Sequence, residues 1–224
     1  MKTVNSILAL IYREYKIAFN SFYDILSILL FFILAMLIFV FSVGSEKQIF
    51  NQIGVGVIWT LILLSNNLVL NKFYEDDFNN NNLILFHING LSYELIVLIK
   101  LIVSWVFIQL PFFLIIPIAI ILLDLTIPNS NLIFTSFLIG SPIITSITAM
   151  AASMNLLNNK SFALGSLIIM FLSIPVIIFS VGLINSTAGN INNMINILLG
   201  ILLIFLAITP WVSAACIKLA IKNR

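Results

Sequence analysis

The chain has 224 residues, of which 62% are hydrophobic and 8% charged, with mean hydropathy +1.20 and a formal net charge of +2. A soluble domain is roughly half apolar and about a quarter charged, so this composition excludes an ordinary soluble domain and places the chain in a lipid bilayer. Basic residues scattered along the sequence exclude a nucleic-acid surface, and Cys216, the single cysteine, excludes a disulfide frame, a cysteine metal pair and a redox motif.

In chain order, Val4, Ile7, Leu8, Ile11, Tyr15 and Ala18 recur at steps of three and four, while Lys2, Arg13, Glu14 and Asn20 occupy other faces. This pattern predicts an amphipathic helix lying in the membrane interface over residues 1–20. Its apolar run at 7–11 is broken by Tyr12, Arg13, Glu14, Tyr15 and Lys16, too early for the core of a cleavable signal peptide. Charges are then missing from 25–45, 48–71, 101–123, 125–159 and 161–217. Each gap exceeds the roughly 20 residues that a spanning helix needs, and the last two leave room for a helix plus a loop, or for two helices. Runs such as 25–41 lack the alternation of a barrel strand. Six transmembrane helices are predicted, at 24–43, 54–71, 95–123, 132–156, 162–183 and 194–219, with no domain boundary inside 1–224.

Six crossings put both termini on one side, together with Lys2, Arg13, Lys16, Lys72, Lys100, Lys160, Lys218, Lys222 and Arg224, leaving only Lys47 opposite. That bias makes the basic side cytoplasmic, or matrix in a mitochondrion. The outer loops, GSEKQ, DLTIPNSN and INSTAGNIN, are short; Asn185, Ser186 and Thr187 in the last spell a glycosylation acceptor of a kind that chance supplies in an asparagine-rich chain.

No Asp, Glu, His, Lys or Arg falls at mid-membrane depth. Ion-driven carriers keep such groups in their helices despite the cost, so energy for any transport must come from elsewhere. Uncharged polar residues do occur: Ser65, Asn66, Asn67 and Asn71, then Ser104 and Gln109, then Thr145, Ser146, Thr148 and Ser153. They read as interhelical hydrogen bonds or as substrate contacts. Pro111, Pro117, Pro142, Pro175 and Pro210 lie in apolar runs and should kink or break helices. No phosphate loop and no nucleophile, base and acid set is present, so the chain is not read as an enzyme.

The segment 72–94 departs from this pattern with Glu75, Asp76 and Asp77, four asparagines and His87, the only histidine. Carboxylates here can cap backbone N–H groups or pair with a partner's Arg and Lys, and Phe73, Tyr74, Phe78, Leu83 and Phe86 offer apolar anchors. His87 reads as a surface or hydrogen-bonded residue, or as a metal or haem ligand. The asparagine run reflects a compositional bias and has no positive explanation in the sequence.

Several stretches together resemble the haem exporter protein B family (CcmB), the membrane subunit of the cytochrome c maturation ABC transporter. They are YREYKIAF at 12–19, GVIW at 56–59, KFYEDDF at 72–78, LSYELIVLIK at 91–100, Pro111 and Pro117, GSP at 140–142, SIPVIIF at 173–179 and TPWVSAA at 209–215. The resemblance implies an all-α, ABC-2 exporter-type permease of the bacterial or mitochondrial inner membrane, forming a homodimer within its complex. Implied partners are a separate cytoplasmic ATPase subunit, which binds and hydrolyses ATP, and other cytochrome c maturation proteins in the bilayer. Haem is implied as substrate and not as a cofactor held by this chain.

The same resemblance implies a coupling segment at 72–94 that meets the ATPase, with Asp76 and Asp77 at the family's acidic pair, Leu83 at its leucine and Lys100 at its lysine. Phe73, Asp76, Asp77, Phe78, Leu83 and Phe86 are the expected ATPase-coupling residues. Asn81, Leu83 and Ile84 stand where the family usually has a Gly, Leu, Glu run, and Gly90 stands where a proline is common. Two other classes remain open: a scaffold that only assembles maturation proteins, and an ATP-independent channel or carrier.

Overall fold

The computed structural model describes residues 2–44, 47–126, 130–157, 162–186 and 189–223. Lys160 and parts of the three outer loops, including the Thr187 of the acceptor motif, lie outside the described residues. The elements are α1 (Lys2–Asn20), α2 (Phe22–Val43), α3 (Lys47–Asn67), a 3₁₀ turn (Asn71–Phe73), α4 (Glu75–Asn79), α5 (Asn82–Ile88), α6 (Tyr93–Ser104), a π turn (Trp105–Gln109), α7 (Leu110–Leu122), α8 (Ser130–Leu157), α9 (Phe162–Ile184) and α10 (Ile191–Lys222). Six helical stretches are long and apolar enough to cross a membrane: Phe22–Val43, Gln48–Asn67, Tyr93–Leu122, Asn131–Leu157, Leu164–Ile184 and Ile191–Lys222.

The bundle is built around α8, with 72% of its most apolar window buried against 17% for the peripheral α2. Its buried surface interleaves small residues, among them Gly140, Ser141, Ala149, Ala151, Ala152 and Ser153, with the larger Phe137, Ile143, Ile144 and Ile147. In a bilayer, where hydrocarbon surrounds every helix, the small residues permit the close backbone approach that drives association. The hydroxyls are satisfied on their own helix: Thr145, Ser146 and Thr148 donate to the carbonyls of Ser141, Pro142 and Ile144 at 3.0, 2.8 and 2.9 Å. This geometry gives them a packing role.

The second span is shifted from its expected position at 54–71. It begins near Lys47 and ends at Asn67, after which Leu68 and Val69 donate to the carbonyls of Ser65 and Asn66 and the chain turns. Asn51 and Gln52 suggest a loop in the sequence. In the fold, however, Asn51 Oδ1 accepts from the backbone N and Oγ1 of Thr126 at 2.8 and 3.0 Å, tying α3 to the far end of the third span. That third span is interrupted at its middle. Pro111 has no N–H for the Phe107 carbonyl and its ring would collide with it, and the residues just before it widen into the π turn.

Candidate functional site

The segment between the second and third spans folds into two short helices that pack against the bundle. The asparagine run joins them: Asn80 closes α4, and Asn81 adopts a left-handed conformation with φ 60°. Asparagine tolerates that region better than most side chains. Asn82 then opens α5 and donates from Nδ2 to Asp77 Oδ1 at 2.9 Å. The run that is unexplained in the sequence is therefore a turn and a ligand for the carboxylate behind it. After α5 the chain reverses at Gly90, whose φ of 88° is closed to proline, accounting for that departure from the resembled pattern.

Helix α1 supplies the other half of the site. Ile7 is half-buried, and Leu10 and Glu14 are buried, spaced three and four residues apart; Leu8 and Tyr15 face outward at 60% and 53% exposure. The expectation that Arg13 and Glu14 lie on faces away from the packed stripe is corrected here. Glu14 continues the stripe of Ile7 and Leu10, and both charges turn toward opposite charges on other elements.

Four charged groups meet where α1, α4 and α6 converge. Arg13 Nη1 lies 2.6 Å from Glu14 Oε1, and Arg13 Nη2 lies 2.5 Å from Asp77 Oδ1. Lys100 Nζ donates to Glu14 Oε2 at 2.9 Å and also pairs with Asp77. The Arg13 guanidinium is 5.0 Å from the centroid of the Phe86 ring. Glu14, Asp77 and Lys100 are only 7%, 5% and 6% exposed. A lone buried ion would carry a prohibitive desolvation cost, whereas two cations and two carboxylates sharing hydrogen bonds form a neutral unit.

Burial alone would push the Asp77 carboxyl up, but the Lys100 ammonium and the hydrogen bonds from Arg13, Lys100 and Asn82 outweigh it, holding the group down at about 2 from an ordinary 3.8. A carboxylate with a depressed folded-state value contributes stability above its unfolded value, and loses it as pH falls through the folded value. This contribution is about 2 kcal/mol at neutral pH. Unfolding midpoints in detergent should therefore fall between pH 4 and pH 2. Asp77→Asn should flatten the profile over that interval; an unchanged profile in the variant would remove Asp77 as its source.

Outer pairs frame the cluster on the same face. Lys72 of the 3₁₀ turn pairs with Asp24 of α2. Lys218 of α10 bonds Glu94 of α6 at 2.8 Å and lies 5.7 Å from the Tyr93 ring centroid. His87 stacks on Tyr93 with centroids 4.4 Å apart, and its Nδ1 is 3.0 Å from the Leu91 carbonyl oxygen, a structural contact at the α5–α6 corner.

Deeper in the membrane a polar seam crosses three helices. Gln109 Nε2, carried inward by the π turn, donates to Asn66 Oδ1 at 2.6 Å and Thr145 Oγ1 at 3.3 Å, and Trp105 Nε1 donates to Ser141 Oγ at 3.0 Å. The charge cluster and this seam sit at the two ends of one stretch of the third span.

Of the residues expected to contact an ATPase, Phe73, Asp77, Phe78 and Leu83 are buried, Phe86 is half-buried beneath Arg13, and Asp76 is exposed. Glu75, Leu85 and Ile88 are exposed as well, with Leu85 at 53% and Ile88 at 74%. The sequence reading missed Arg13, Glu14 and Asn82 as site residues. The signal for Glu14 was present, since an acid on the packed stripe of an amphipathic helix requires a partner.

The CcmB protein family model matches residues 5–220. The chain is 27% identical over 218 residues to a protein named heme exporter protein B from Haemophilus influenzae, covering 96% of this chain and 99% of that one. It is 25% identical over 214 residues to the heme exporter protein B of Pseudomonas aeruginosa, covering 95% and 96%. A shorter match, 32% over 98 residues and 44% of each chain, links it to the heme exporter protein B of Escherichia coli K12. With six membrane-length helices and a family match over nearly its whole length, the chain is a multi-pass membrane protein and belongs to the CcmB family.

Proposed function

We propose that the chain is the membrane permease subunit of a haem-exporter-type ABC complex in cytochrome c biogenesis, working as a homodimer in the bacterial or mitochondrial inner membrane. Both termini and the α4–α5 segment face the cytoplasm or matrix. A separate ATPase subunit hydrolyses ATP, and this chain has no catalytic site of its own. The ATPase meets the exposed side of α4 and α5, where Glu75 and Asp76 present carboxylates to its cations and Leu85 and Ile88 present apolar contacts. The buried residues Phe73, Asp77, Phe78 and Leu83 transmit the movement inward. Asp77 carries this reading: one carboxylate on α4 pairs with both Arg13 of α1 and Lys100 of α6. Displacement of α4 therefore pulls on the N-terminal helix and the third span together, either moving haem or releasing a haem-loaded chaperone.

Asp76→Lys combined with Ile88→Asp tests this proposal in cells lacking the wild-type copy. The variant is expected to remain in the membrane at wild-type abundance, to lose co-purification of the ATPase, and to stop covalent haem attachment to c-type cytochromes. Retained attachment without the ATPase would favour an ATP-independent carrier. Retained ATPase with no movement of α6 on ATP addition, read from a spin label on that helix, would favour a scaffold.

A further inference from the structure

A cleft of about 360 Å³ opens beside the charge cluster, between α1, α2, α4 and the middle of the third span. Ligand clefts run from roughly 300 to 1,000 Å³. Its polar end is bounded by Arg13, Lys72, Lys100, Glu14, Asp24, Asp76 and Asp77, and its other end by Ile25, Ile28, Val103 and Phe107. A second, almost wholly apolar space of about 270 Å³ continues from it, sharing Ala18, Ile25 and Phe107 and reaching Phe22 and Leu110. Those last two side chains are 61% and 52% exposed on the membrane-facing exterior. Charge at one end and hydrocarbon contact at the other describe a site for an amphiphile entering sideways from the bilayer.

Size and charge narrow the occupant. One turn of a helix with its side chains is about 10–12 Å across and must sit whole in the cleft, whereas a lipid seats only its headgroup and part of an acyl chain and leaves the rest in the bilayer past Phe22 and Leu110. Because the chain exchanges one hydrocarbon surrounding for another, tail contacts discriminate little, and selectivity falls to the polar end. There four acids face three bases, a net excess of one negative charge. The three bases are engaged in ion pairs, Arg13 and Lys100 with Glu14 and Asp77 and Lys72 with Asp24, while Asp76 is exposed and forms no ion pair among the described residues. A purely anionic headgroup meets the wrong sign. A primary ammonium supplies three donors for Asp76 and Asp24, and an adjoining phosphate can share the half-exposed Lys72.

We propose that this cleft holds a phospholipid with a zwitterionic, primary-amine headgroup of the phosphatidylethanolamine kind. It wedges between α1–α2 and the π turn with its ammonium on Asp76. The cleft and the proposed ATPase surface share Asp76, and Ile88, which does not line the cleft, tells them apart: Ile88→Asp alone should weaken ATPase co-purification and leave lipid retention unchanged.

The full chain is reconstituted in vesicles of equimolar phosphatidylethanolamine, phosphatidylcholine and phosphatidylglycerol with matched acyl chains, and retained lipid is counted by native mass spectrometry after extraction. Phosphatidylethanolamine should be retained about tenfold over each of the others, the selectivity expected of one charge-assisted hydrogen bond. Asp76→Asn, a change on an exposed residue, should reduce that retention to the level of phosphatidylcholine, whose trimethylammonium cannot donate. Ala18→Trp should expel the lipid by filling the apolar space. Equal retention of the three lipids, a preference for phosphatidylglycerol, or selectivity unchanged in Asp76→Asn would overturn the proposal. So would one-for-one displacement of the lipid by haem, which would make the cleft a porphyrin site.

Discussion

Lys100→Ala is expected to cost about 3–5 kcal/mol of stability, because it leaves Glu14 and Asp77 buried with only the Arg13 guanidinium between them. The loss should come from charge and not from the missing side-chain volume, so Lys100→Met should cost nearly as much. Restoring neutrality is the discriminating step. Lys100→Met with Asp77→Asn leaves one cation and one carboxylate, and should recover a large part of the loss, with an interaction energy of about 1–3 kcal/mol in the double-mutant cycle. Unfolding in detergent, followed through tryptophan fluorescence, reads Lys100→Ala, Lys100→Met, Asp77→Asn and the double variant. Additive losses, or a Lys100→Ala cost below about 1 kcal/mol, would mean that the four groups do not act as a unit. The neutral double variant also separates stability from coupling: it should fold and keep the exposed α4–α5 surface, yet lose haem attachment to c-type cytochromes, because α4 has lost its charged grip on α6.

The six spans and the apolar character of the chain were legible because bilayer thickness imposes a length and a composition that few other constraints can mimic. Boundaries were less so. Asn51 and Gln52 look like loop residues until Thr126 appears opposite them, a contact 75 residues away in sequence. The charge cluster was hidden for the same reason: Glu14 and Lys100 are 86 positions apart, and a sequence ranks each as an interfacial charge. The acidic stretch drew attention to Asp76 and Asp77 as equals, but successive positions on a helix point about 100° apart. One carboxylate therefore faces inward to Arg13 and Lys100, while the other faces out. The π turn left only an indirect trace, Pro111, because a proline predicts a disturbed helix without saying whether it will kink, break or widen.

Gly140→Ala should destabilise the protein by about 1–3 kcal/mol, although alanine is favoured over glycine within a helix by roughly 0.8–1.0 kcal/mol. A Cβ at this position would collide with Trp59 Cη2 and stand 3.2 Å from Ser180 Oγ, between α3 on one side and α9 on the other. The indole has little room to retreat: Trp59 is 2% exposed and packs on Phe137, with ring centroids 6.0 Å apart. Trp59→Phe removes the colliding part of the ring, and should cost stability alone through lost packing while relieving the Gly140→Ala variant. The two changes together should therefore cost less than their sum, as detergent unfolding midpoints would record. A Gly140→Ala variant as stable as the wild type would mean that α3 can move away from α8, and that the small-residue face of α8 does not set the approach of its neighbours. The predicted loss follows instead if that face holds the spans together, since glycine is then the only residue that lets Trp59 reach the backbone of the central helix.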